Sequence, residues 1–115
     1  MENWQALFIV ISDSEKTERV LEILLESEIR GATIVESMGM GKMLADNIPV
    51  FGSLRNLLSR QHETSQTIFA VSKHPDKIEK AMEQIAKEFD GFQEPCTGMM
   101  FVVPVCKAVG IGKKE

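Results

Sequence analysis

The side chains best suited to chemistry fall into a few groups. Met38, Met40 and Met43 stand close together, and Met99 and Met100 form a pair. Thioethers are soft donors that can hold Cu(I). Methionine also fills irregular apolar gaps, and packing or a contact surface is the favoured reading. His62 sits in the polar stretch Arg60-Gln61-His62-Glu63-Thr64, and His74 opens a helix. Both read as solvated or capping residues, because acid–base catalysis needs a positioned partner. Cys96 and Cys106 are ten residues apart without a C-x-x-C, which reads as reduced thiols. Gly39-Met40-Gly41-Lys42 is a flexible turn after a strand. It lacks the third glycine and following helix of a dinucleotide-binding turn, and no G-K-[ST] follows it. Paired carboxylates and nucleophile–base motifs are not found, so the expectation is that the chain is not an enzyme.

The elements that must position these residues belong to one domain, 1–115. The chain is 43% hydrophobic and 26% charged, as a globular domain with a real core should be. Its net charge is −4 and its basic residues do not cluster. That excludes nucleic acid, which demands a concentrated positive surface. The longest apolar run, Ala6 to Ile11, is too short to enter a bilayer as a spanning segment. Met1-Glu2-Asn3-Trp4 has neither the basic start nor the cleavage site of a signal peptide. A cytoplasmic location is the expectation.

Trp4 to Ser12 reads as a buried strand, with Asp13 or Ser14 as the N-cap of the next helix. Apolar residues at 20, 21, 24, 25 and 29 give that helix its inner face, and Gly31 is expected to stop it. Ala32 to Met38 is a second strand. An irregular segment follows, with a short helix expected over Ser53 to Arg60. Gln66 to Ser72 is a third strand. Pro75 begins a helix whose stripe is Ile78, Met82, Ile85 and Phe89, and Asp90-Gly91 ends it. Met99 to Val105 is the last strand, and 108–115 reads as a loose tail.

The order predicts an α+β fold: a ferredoxin-like βαββαβ sandwich, with an antiparallel four-stranded sheet and two helices on one face. The last strand is apolar at consecutive positions, so both its faces call for cover. The helices supply one, and oligomerisation is the simplest source of the other.

Gly31, Thr33, Glu36, Gly39 and Gly41, spaced as G-x-T-x-x-E-x-x-G-x-G and leading into a long loop, resemble the PII signalling family. Thr97 to Val105 looks like that family's fourth strand, preceded by a glycine-bearing loop. The resemblance runs from Leu7 to Gly112. It implies a homotrimer with a small effector in the clefts between subunits. It also implies that residues 39–65 act as a mobile T-loop-like segment reaching a target protein, an enzyme or a membrane transporter. The effector-binding residues it implies are Gly31, Thr33, Gly39, Met40, Gly41, Lys42, Thr97, Gly98 and Lys107.

The departures from the family pattern shape the expected ligand. Only Gly98 remains of the glycines and lysines before the fourth strand, and Met99 stands where a phosphate-binding lysine would be. The positions of two arginines fall on Gly110 and Gly112, and there is no tyrosine to be uridylylated. A triphosphate needs paired donors or cations. The resemblance therefore leaves an adenine nucleotide as a candidate effector, with the ATP/2-oxoglutarate site degraded. The remaining basic candidates are Lys42, Lys73, Lys107 and the tail lysines. The alternative is a trimeric metal-tolerance protein of the CutA kind, binding copper through the methionines. A hydrolase of the acylphosphatase kind needs an anion cradle after the first strand, where this chain has the acidic turn Ser12-Asp13-Ser14-Glu15-Lys16.

Overall fold

The structure, a computed structural model, describes residues 4–12, 14–40, 65–93 and 98–110. Among the described residues there are four strands: β1 (Gln5–Ile11), β2 (Thr33–Ser37), β3 (Ser65–Ser72) and β4 (Gly98–Pro104). Two described α-helices accompany them, α1 (Thr17–Glu26) and α2 (Pro75–Glu88). The sheet order is β2-β3-β1-β4, and every neighbouring pair is antiparallel. This is the ferredoxin-like α+β arrangement predicted from the element order. The short helix expected over Ser53 to Arg60 lies outside the described residues.

Strand alternation divides the sheet into two faces. Leu7, Ile9 and Ile11 of β1 and Ile68 and Ala70 of β3 point to the helical side and are buried. They meet Val20, Ile23 and Leu24 of α1 and Ile78, Ala81 and Ile85 of α2, with Ile29 and Phe89 at the helix ends. Met100 and Val102 of β4 pack against this core from its edge. Each large aliphatic side chain buried there contributes roughly 1.5–3 kcal/mol.

Three local expectations change. The expected cap at Asp13 lies outside the described residues; a 3-10 turn over Ser14–Lys16 leads in, and Lys16, not Ser14, occupies the N-cap position, without a side-chain bond. Gly31 does not stop α1. The helix ends at Glu26, and Glu28 takes the left-handed conformation (φ 65°). The amide of Glu28 donates to the Leu25 carbonyl (2.9 Å) and that of Ile29 to the Leu24 carbonyl (2.8 Å). This is a Schellman closure, and buried Ile29 and Leu24 lie at the positions where that motif makes its apolar contact. The inner face is also rotated from the expected one, because Leu25 is 61% exposed while Ile23 is buried.

The second helix follows the sequence more closely. Pro75 sits at its first position, and His74 precedes it as N-cap. The capping is not done by the imidazole; instead the His74 amide donates to Ser72 Oγ at 3.0 Å.

Candidate functional site

The second face of the sheet carries no helix among the described residues. Phe69, Phe8 and Phe101 are opposite one another in the register of β3, β1 and β4, and all three point to this face. Their rings stack as a ladder: Phe8 lies 5.7 Å from Phe69, and 5.1 Å from Phe101 at an interplanar angle of 9°. Above and below this row stand Val10 with Met99 and Ala6 with Val71 and Val103. Val35 of β2 joins them from the far edge. Met99 is 56% exposed and Phe101 40%. So broad a bare apolar face marks a contact surface.

At the end of the sheet nearest residue 41 the same face becomes polar. Ser37 Oγ lies 2.8 Å from Ser65 Oγ and 3.0 Å from Thr67 Oγ1. These hydroxyls follow from the register, since Ser37 faces Ser65 and Val35 faces Thr67. On the helical side, Thr17 hydrogen-bonds Gln66. Sequence reading missed this hydroxyl group and the phenylalanine ladder, because cross-strand neighbours are set by pairing.

The residues singled out from the sequence are dispersed. Thr33 opens β2 opposite Phe69, exposed on the bare face. Gly31 is exposed just before it, and a Cβ there would meet nothing. Gly39 and Met40 are exposed beyond the C-terminal end of β2. Gly98 begins β4 opposite Ile11, at that same end of the sheet but on the other edge. Lys107 is exposed after β4 has run to the opposite end. Gly41, Lys42 and Thr97 lie outside the described residues. One chain therefore does not gather the described members of the set into one pocket.

Gly98 has a reason within the fold itself. Its φ is +139°, and a Cβ there would overlap the carbonyl oxygen of Val10. Only glycine lets β4 start so close to β1.

The described methionines do not converge as one soft-metal set either, and Met43 lies outside the described residues. Met38 follows β2 at one edge, Met99 stands on the bare face at the other, and Met100 turns toward the core. Among the described residues no group of three or more His, Cys, Asp or Glu could hold a metal. No described helix is long and apolar enough to cross a membrane.

The strongest electrostatic feature lies on the helical layer. Arg19 Nη1 reaches Glu22 Oε2 (3.1 Å) and Glu26 Oε1 (3.3 Å), and its Nε donates to Glu88 Oε1 (3.0 Å). Bonding to Glu88, then to Glu26 and Glu22, raises the guanidinium above its usual range. This ties α1 to α2 and leaves Arg19 committed to carboxylates of its own chain.

The comparisons agree with the architecture. The family model described as Nitrogen regulatory protein P-II matches residues 6–115. Among solved structures, that of Arabidopsis thaliana PII bound to citrate superimposes with a TM-score of 0.64 at 18% identity. The match covers 99% of this chain and 88% of the plant protein. No curated protein sequence matches. With a family match over nearly the whole chain and the same order of strands and helices, this protein belongs to the nitrogen regulatory P-II family.

Proposed function

We propose that the chain is an effector-reading regulator that works as a homotrimer. In this reading three chains turn their bare sheet faces inward. A small effector binds in the clefts between subunits, and residues 39–65 carry the result to a target protein. P-II proteins are trimers that bind target proteins. The observation that carries the reading is the Phe69–Phe8–Phe101 ladder on an uncovered face. The scatter of Gly31, Thr33, Gly39, Met40, Gly98 and Lys107 over two edges and two ends supports it too. Such residues come together only across subunits.

The effector is read as an adenine nucleotide or a related small molecule, bound with few phosphate contacts. Met99 is an exposed apolar side chain on the bare face, in the position that the family resemblance gives to a lysine. A polyphosphate there would lack a counter-charge.

Light scattering at micromolar concentration tests the assembly: a trimer is expected, and a monomer overturns the proposal. Thermal shift with ATP, ADP, AMP and cyclic dinucleotides tests the ligand. A ligand at a hundred times its Kd adds about 2.7 kcal/mol of stability. Tight, magnesium-dependent binding of ATP with 2-oxoglutarate would refute the degraded site. A copper titration separates the CutA-like alternative, which requires tight binding that is lost when Met38, Met40 and Met43 become leucine.

A further inference from the structure

The turn between α2 and β4 holds three successive residues in the left-handed region: Asp90 (φ 50°), Gly91 (φ 72°) and Phe92 (φ 59°). Gly91 takes that conformation freely, whereas side chains such as that of Phe92 do so against steric resistance. Strained backbone of this kind persists only where its surroundings hold it.

The holding contacts come largely from the distant start of α1. Lys16 Nζ donates to the Glu88 carbonyl at 2.8 Å, across 72 residues of sequence. The same ammonium stands 5.0 Å from the centre of the Phe89 ring. Arg19 adds the bond to the Glu88 carboxylate. Phe89 is buried and stacks on Phe92, with centroids 4.8 Å apart and planes within 11°. The Phe92 amide donates to the Phe89 carbonyl at 2.9 Å, which closes the turn. Lys16 thus holds the helix end and the ring on which Phe92 rests.

We infer that Asp90–Phe92 is a switch element at the C-terminal end of α2, kept in its strained form by Lys16. Thr17, the neighbour of Lys16, bonds Gln66 near the start of β3, so the start of α1 touches both β3 and the end of α2. Loss of the Lys16 charge releases the turn toward an unstrained backbone. A cation–π contact and a charge-assisted bond both vanish with that charge.

Native-state hydrogen exchange on the full chain tests this, with the Phe92 amide as reporter. Lys16→Met keeps the stem and removes the charge. It is expected to speed Phe92 exchange about tenfold, while the Ile78 to Ile85 amides of α2 stay within about twofold. Asp90→Gly relieves strain, so it should slow Phe92 exchange in the wild type and restore it in the Lys16→Met background. Unchanged Phe92 exchange in Lys16→Met overturns the inference. So does an acceleration matched by the α2 amides, which would mean only global loosening. Should Lys16→Met fail to fold, Asp90→Gly alone decides: no slowing at Phe92 means no strain is held there.

Discussion

The ring of Phe8 lies 5.1 Å from that of Phe101 and within 9° of parallel, on the side of the sheet that no described helix covers. Stacking of this kind adds about 0.5–1.5 kcal/mol beyond area burial. With Phe69 on the other flank, the row gives the bare face a continuous aromatic band.

Phe101→Asp places a charge at the exposed end of that band. Phe101 is outside the helical core, so the chain is expected to fold, with a stability loss of about 1 kcal/mol. The proposed trimer is expected to fall apart, because an unpaired carboxylate would be buried at each proposed subunit contact. Light scattering with circular dichroism reads both effects. An intact trimer would remove the bare face from the assembly.

Gly98→Ala drives a Cβ into the Val10 carbonyl. A loss of about 3 kcal/mol is expected from overpacking and backbone strain together, read by urea unfolding. Gly31→Ala and Gly39→Ala meet no atom within 4 Å, so their stability should hold within about 0.5 kcal/mol. Loss of effector binding in either would therefore come from the ligand or a neighbouring subunit.

Glu28→Gly relieves a side chain held at φ 65° at the Schellman closure of α1. A gain of about 1 kcal/mol is expected in thermal unfolding. The substitution removes the 3.3 Å pair between Glu28 and Lys77, but Glu28 is well exposed there and the pair contributes little. Unaltered or lowered stability would show that the exposed pair outweighs the strain.

Arg19→Ala disconnects α1 from Glu88. A small loss of stability is expected in low salt, shrinking further as salt screens the exposed network. Its arginine share should not vary with pH near neutrality. The folded guanidinium titrates above its unfolded value, so its contribution is complete below the unfolded value and is lost only as pH rises through the folded one, far above neutrality. A loss between pH 6 and 9 that vanishes in Arg19→Ala would contradict this.

Much of the fold was legible in the residues. Strand β1 and helix α2 carry strong local patterns, and both stand within a residue or two of their expected limits. Helix α1 was harder at both ends. Glycine is the cheap way to end a helix, so Gly31 drew the expectation. Glu28 ends it instead, because buried Ile29 makes the closure worthwhile despite the steric cost. Leu25 and Ile23 are equally apolar, and only packing against the sheet shows which one turns inward. The candidate effector residues were read from spacing and resemblance. Spacing carries no information on which edge or end of the sheet each would occupy.

By itself, the sequence determined the order of strands and helices, the lack of a concentrated positive surface, and a last strand with apolar residues on both faces. Those follow from local periodicity and composition, which need no partner chain to express. Tertiary structure alone decided that Phe69, Phe8 and Phe101 share one row, that Gly98 must be glycine, and that Lys16 reaches Glu88 and Phe89. Each depends on register or on contacts between distant segments. A one-residue slip in pairing would send every phenylalanine of the ladder to the other face.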